Sequence, residues 1–264
     1  MPLAFSTLGL PGHSLDAVLA LATAHGWQGL ELRAAPGEPV HTGLSSTRRR
    51  AAARQFASAA VTPLTVASYV GIAEPGPDAP VRAELLAHLH LAADLGAPYV
   101  RVFPRGGADP SEGARTAARR LLELADTAAD LGVAVLVETH DSHRSGAALA
   151  ALLAGARHPA VGALWDVLHT WLAGEAPADS HRLLAPRLGY VQVKDVASAD
   201  DLTPLPLGAG VLPLPACLDR LPPDTWVSWE YEAPWHPAAA PFAPLLADGR
   251  SYLHRLTGCS KESW

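Results

Sequence analysis

One recurring phrase limits the fold of this chain more than any other feature: an Ala/Leu-rich amphipathic stretch, a glycine, then a short apolar run. It appears as Leu15–His25, Gly26 and Gly29–Arg33; as Val81–Leu95, Gly96 and Tyr99–Phe103; and as Ala114–Leu131, Gly132 and Val133–Glu138. Glycine after the last helical turn can take the left-handed conformation that ends a helix without a Cβ clash. The runs that follow are β-branched and bounded, as buried strands are. Helix, glycine and strand in repetition mean parallel strands joined by helical crossovers.

Extended over the whole chain, the reading gives eight strands: Leu3–Ser6, Gly29–Arg33, Leu64–Ser68, Tyr99–Phe103, Val133–Glu138, Val161–Asp166, Leu188–Lys194 and Trp226–Glu230. Helices lie between them, with a last one near Phe242–Leu256. Their starts carry matching signals, such as Ser14 before Leu15 and Asp109-Pro110-Ser111 before the fourth helix. Eight units in 264 residues suit a single (β/α)8 TIM barrel over residues 1–264. A doubly wound sheet is the alternative, but no GxGxxG follows the first strand. Pro234–Pro244, rich in Pro and Ala, reads as a surface loop before the last helix.

Composition narrows the setting. Hydrophobic residues make up 49% and charged ones 17%, which favours an extensive core over disorder. A net charge of −6 supplies no attraction to nucleic acid or to an anionic membrane. The two cysteines, Cys217 and Cys259, form neither a disulfide framework nor a CxxC pair. The opening MPLAFSTLGL lacks the basic region of a signal peptide, and no uncharged apolar run is long enough to span a bilayer. A reduced, cytoplasmic setting and a small-molecule partner are expected, with a homo-oligomer left open.

In such a barrel the active site sits at the C-terminal ends of the strands. The fifth strand ends in Glu138, with His140 on the same side of an extended chain. The sixth ends in Asp166, with His169 beyond it. The seventh alternates Tyr190, Gln192 and Lys194 on one face, and the eighth alternates Ser228, Glu230 and Glu232. A carboxylate at the end of a buried strand is costly unless paired or coordinated. One such acid has a plain explanation in a salt bridge or helix cap. Glu138, Asp166 and Glu230 on three late strands, converging with Gln192, read instead as an oxygen-rich metal site.

These phrases also carry a family likeness. FSTLGLPGHSLDAVLALATAHGWQGLELR, LVETHDSHRSG, LWDVLHTW, YVQVKD, LGAG and WVSWEYEAPWHP together resemble the xylose isomerase-like TIM-barrel superfamily, in its sugar isomerase/epimerase branch. The likeness runs from the first strand to the last. It implies one divalent metal ion held by Glu138, Asp166, Gln192 and Glu230. Gln192 departs from the family phrase, which more often has His there; an amide oxygen is a weaker donor than imidazole. An all-oxygen set favours Mn²⁺ or Mg²⁺ over Zn²⁺ or Co²⁺. The likeness further implies Glu138 and Glu230 as the acid/base pair, with His140 and His169 touching substrate oxygens.

The chemistry implied is isomerisation or epimerisation of a small sugar or polyol-like ketone. It begins by removing a proton beside a carbonyl that the metal polarises. A dehydratase of the same fold begins in the same way, and a non-catalytic sugar-binding barrel is the third reading. Abasic-site endonucleases share this superfamily and need additional His ligands from strands three and four, and VASYVG and VRVFPRG contain none. The pattern at His140 and His143 is not HExxH, which excludes a zinc protease of that type.

Other polar positions have two readings each. Lys194 beside Asp195 is either an ion pair closing the mouth or a substrate contact, and Arg101 and Glu232 are expected to face the pocket. Glu31 and Arg33 either line the pocket or belong to a structural network, with the network preferred for Glu31. Trp235, in a loop, is the tryptophan best placed to offer a flat face to substrate. Gly208 and Gly210 follow strand seven, where barrels often bind phosphate, but with little basic charge nearby they read as a plain turn. The pairs Arg48–Arg50 and Arg119–Arg120 read as solvated helix faces.

Overall fold

The structure, a computed structural model, describes residues 1–258; Cys259 and Lys261 lie outside the described residues. Eight parallel strands close into a barrel in sequence order: β1 (Leu3–Ser6), β2 (Gly29–Arg33), β3 (Thr62–Gly71), β4 (Tyr99–Phe103), β5 (Ala134–Glu138), β6 (Val161–Asp166), β7 (Leu188–Val193) and β8 (Trp226–Trp229). Pairing of β1 with β8 completes the ring. The helices are α1 (Leu15–His25), α2 (Ser46–Ala59), α3 (Asp78–Leu95), α4 (Pro110–Asp130), α5 (Gly146–Gly155), α6 (Val167–Leu172), α7 (Pro177–Leu184), α8 (Leu214–Leu218) and α9 (Leu246–Gly258). Among the described residues no helix is long and apolar enough to cross a membrane.

The glycine rule holds where the sequence shows it. Gly26 and Gly96 close α1 and α3 in the left-handed conformation, and Gly132 follows α4 with φ 68°. Helix α2 ends instead on Ala60, left-handed at φ 52°, so its stop carries no glycine signal. Strand β3 is longer than Leu64–Ser68, and its register shifts against both neighbours. Strands β7 and β8 stop one residue short of Lys194 and Glu230, whose side chains turn into the mouth. Between Phe242 and α9 only a short 3-10 turn (Ala243–Leu245) forms. The last helix therefore starts later than the pattern suggests.

Two-residue alternation sorts the barrel interior into layers. The lower layer is an apolar plug of Ala4, Leu64, Leu136, Leu164 and Tyr190. One layer further toward the C-terminal ends of the strands stand Ser6, Glu31, Arg101, Glu138, Asp166, Gln192 and Ser228, all buried. The plug closes the N-terminal end to water, and the polar layer faces the mouth. A cleft of about 490 Å³ beside Gly162, Arg187 and Gly189 lies at the opposite, N-terminal end.

Arg120 corrects the expectation of a solvated helix face. It is fully buried, its Nε 2.8 Å from Asp78, and it donates to the carbonyls of Ile72, Glu74 and Gly76. Arg119 does remain exposed, forking onto the same Asp78. The two arginines hold the loop after β3 to the start of α3.

Candidate functional site

The polar layer forms one connected cluster. Glu138 at the end of β5 lies 3.0 Å from Arg101 Nη1, and that guanidinium stacks on Phe103 with its carbon 4.0 Å from the ring centre. Asp166 ends β6 and caps α6, accepting the Leu168 amide through Oδ1 at 2.8 Å. Its backbone amide donates to Thr139 Oγ1 at 2.8 Å, and this tie aligns the ends of β5 and β6. The short turn of α6 then places His169 Nε2 3.7 Å from Asp166 Oδ2.

Gln192 sits between two acids. Its Nε2 donates to both oxygens of Glu31 at 2.8 Å and lies 3.2 Å from Glu230 Oε1. The reverse orientation would set the amide oxygen against the Glu230 carboxylate. Oε1 is consequently buried with no hydrogen-bond partner among the described residues. Tyr190 donates to Glu31 Oε2 at 2.7 Å. Glu31 is thus a hub at the barrel centre, and its preferred reading as part of a network agrees with these contacts.

Lys194 corrects the reading as an ion pair with Asp195. Its ammonium, 2% exposed, lies 2.7 Å from Asp166 Oδ2, 2.5 Å from Glu230 Oε2 and 2.8 Å from Glu232 Oε1. Asp195 takes a different part. Its carboxylate accepts the backbone amides of Gly208, Gly210 and Leu212 at 2.9–3.2 Å and so pins the long loop after β7. The amides around Gly208 and Gly210 are therefore already engaged by an anion of the chain itself, in line with the plain-turn reading.

His140 packs its ring 4.4 Å from Phe103 and 4.2 Å from His169, centre to centre, with Nδ1 3.2 Å from Asp141. Glu138, His140 and His169 offer ligand atoms within 4.8 Å of one another. Trp235 lies on the rim, 55% exposed, with the Arg33 guanidinium 5.4 Å from its ring centre. It is apart from the carboxylate cluster. Arg33 also donates to Tyr69 Oη and pairs with Glu38 at 2.6 Å. A cleft of about 510 Å³ opens beside Arg33, Tyr69, His41 and His88, next to the mouth. Tyr69 and His41 carry no motif that would single them out in the sequence.

Burial dominates the electrostatics. It pushes the Glu138 carboxyl up to about 8, with Arg101 opposing, and Glu31 up to about 7, reinforced by Glu230. It lowers His169 to about 4, so this imidazole is neutral at physiological pH. Burial also opposes the charge on Lys194, but Asp166, Glu230 and Glu232 outweigh it and hold the group well above the ordinary lysine range. Arg101 thus pairs with Glu138, and Lys194 with Asp166, Glu230 and Glu232, while Glu31 acts on Arg101 only through its field.

Glu31 gives a testable consequence for stability. Its folded-state value lies above its ordinary 4.5, so the folded chain holds a proton that the unfolded chain releases between about 4.5 and 7. The contribution is complete below 4.5 and is lost as pH rises through about 7. Urea titrations of the metal-free protein should show stability falling from pH 5 to pH 8 by on the order of 2 kcal/mol from this group. Glu31→Gln should flatten that slope. An unchanged slope would mean that the shift is absent.

The donor set fits a divalent ion. Glu138 Oε2, Asp166 Oδ2, Gln192 Oε1 and His169 Nε2 are all buried and accept or donate no hydrogen bond among the described residues. The first two have charged neighbours, but without hydrogen-bond geometry. Three of these orphaned atoms stand at the ends of the adjacent strands β5, β6 and β7 and the fourth on α6, in a cluster rich in acid that could hold a cation.

Residues 19–254 match the family model of the xylose isomerase-like TIM barrel. The chain belongs to that family. No curated protein matches it in sequence. Its fold is similar to that of the IolI protein solved with a bound zinc atom, at a TM-score of 0.83 and 18% identity, with 100% of each chain covered. It is also similar to an L-ribulose 3-epimerase, at a TM-score of 0.80 and 16% identity over 99% of this chain and 96% of the other. A third similar structure is described as the probable 3-DHS dehydratase AsbF of Bacillus anthracis, at a TM-score of 0.79 and 18% identity over 96% of this chain and 98% of the other. At these identities the likeness establishes the fold, and the reaction must be argued from the site.

Proposed function

We propose that this family member is a divalent-metal-dependent isomerase or epimerase of a small sugar or polyol-like ketone. One arrangement carries the reading. Glu138 and Glu230 rise from strands three apart in the ring, with Asp166 and the unpartnered Gln192 Oε1 on the strands between them. Carboxyl groups on two sides of one cavity can remove a proton from one face of a carbon and return it to another face or neighbour. Glu138, Asp166, Gln192 and Glu230 would hold the ion, which when bound supplies a Lewis acid that polarises the substrate carbonyl. Arg101 orients Glu138, and Gln192 orients Glu230. Neutral His169, with Nε2 open, and His140 beside it are suited to hydrogen-bond substrate hydroxyls. The ring of Phe103 and the plug beneath limit water below the reacting carbon.

A dehydratase is the second reading, favoured by an asymmetry between the two glutamates. Glu230 is engaged by Lys194 and Gln192, whereas Glu138 and His169 have open atoms. Elimination of water needs one base where epimerisation needs two.

The test is proton NMR in D₂O with Mn²⁺ and a panel of ketoses and cyclic polyhydroxy ketones. Epimerisation or isomerisation should yield a new sugar with deuterium beside the carbonyl and no loss of water. Elimination should yield an unsaturated product with ultraviolet absorption. Asp166→Ala should fold yet lose the ion in elemental analysis. Full occupancy in that variant would remove Asp166 from the site, and bound metal without exchange on any compound would favour a sugar-binding barrel.

A further inference from the structure

We infer that Lys194 is a built-in cation that shares its place with the metal ion, holding the carboxylates together when no ion is bound and setting how tightly one binds. The inference rests on the metal-dependent reading above. An ammonium has three N–H groups, and here three carboxylates from β6 and the end of β8 surround it: Asp166, Glu230 and Glu232 at 2.7, 2.5 and 2.8 Å. It donates to Glu230 and Glu232 and lies at ion-pair distance from Asp166, in a position 2% exposed. Two of those carboxylates, Asp166 and Glu230, are ligands in the proposed site.

The geometry makes the two cations exclusive. An ion held by Asp166 and Glu230 would compete for the carboxylates that the ammonium now contacts, and two positive charges so close would repel strongly in a buried site. Glu232 offers the way out. It is not among the proposed ligands, it is more exposed, and it already contacts the same ammonium. On ion binding the Lys194 side chain leaves Asp166 and Glu230 and stays paired with Glu232. Without lysine, the empty site would hold buried carboxylates lacking compensation, which destabilises the metal-free fold. Lys194 therefore preforms the site and at the same time competes for it.

Calorimetric titration of Mn²⁺ into metal-free wild type, Lys194→Met and Glu232→Gln tests this, with melting temperatures measured with and without the ion. Lys194→Met should bind Mn²⁺ at least about tenfold more tightly. Its metal-free form should melt lower than wild type, and Mn²⁺ should raise its melting temperature by more than it raises that of wild type. Glu232→Gln should bind Mn²⁺ severalfold more weakly, because the displaced ammonium loses its remaining partner. Adding Lys194→Met to Glu232→Gln should abolish that weakening. Unchanged or weaker Mn²⁺ binding in Lys194→Met would overturn the inference while leaving the metal reading intact, the ion then lying toward Glu138, His140 and His169. No binding by any of the proteins would overturn both. Should metal-free Lys194→Met fail to fold, unchanged affinity in Glu232→Gln overturns the inference by itself.

Discussion

Glu138→Gln is expected to lose about a hundredfold or more of turnover while the barrel stays folded and Mn²⁺ still binds. The amide keeps the size of the side chain, keeps an oxygen for the ion and can still meet Arg101, 3.0 Å away in the native protein. What it lacks is a site that takes up and releases a proton near neutral pH. Without an ion, burial raises the Glu138 carboxyl to about 8 against the opposing pull of Arg101, and a bound cation would bring it lower. Loss confined to kcat, with KM little changed, would mark an interaction made in the transition state rather than in substrate binding. Turnover close to wild type would transfer the proton role to His169 or Glu230. A fall in Mn²⁺ affinity large enough to empty the site would show that charge at this position matters more than proton transfer.

The largest effect on stability is expected from Asp195→Ala. The Asp195 carboxylate is buried and accepts the amides of Gly208, Gly210 and Leu212 from a loop with no regular structure between β7 and α8. Truncation leaves three amides to find other partners, each at a cost of about 1 kcal/mol or more. A loss of roughly 3 kcal/mol in urea denaturation follows. Asp195→Asn should lose less, because the amide oxygen still accepts. The same substitution tests the phosphate question directly. If the loop survives without its carboxylate, Asp195→Ala should gain affinity for inorganic phosphate, which the native protein should not bind there. A change below about 0.5 kcal/mol would mean that the loop is held by its apolar contacts at Leu207 and Leu212.

The barrel is legible from local pattern because each of its parts has a local cause. Glycines stop α1, α3 and α4, and β-branched runs of five or six residues answer them. Alternation along β5 to β8 puts Glu138, Asp166, Gln192 and Glu230 on the inward face at one end. Pattern fails where the cause is not local. Ala60 stops α2 in a conformation that no propensity assigns to alanine, and Arg120 is buried because carbonyls of the β3 loop, more than forty residues earlier, accept from it.

The division is sharpest at the mouth. Inward or outward is set by a two-residue period, which any strand carries in its own sequence. Which cation meets which acid depends on strands brought together by closure of the ring. Lys194 stands next to Asp195 in the chain, yet it pairs across to Asp166 and Glu230, because adjacent residues on a strand face opposite sides. Asp195, pointing the other way, meets the loop instead. Gln192 in isolation is a weaker ligand than histidine. Inside the closed barrel, Glu31 and Glu230 engage its nitrogen and leave its oxygen bare. Burial of that cluster, which shifts Glu31 and Glu138 toward neutrality, belongs to the assembled barrel alone, since no segment excludes water from a carboxyl group until all eight strands enclose it.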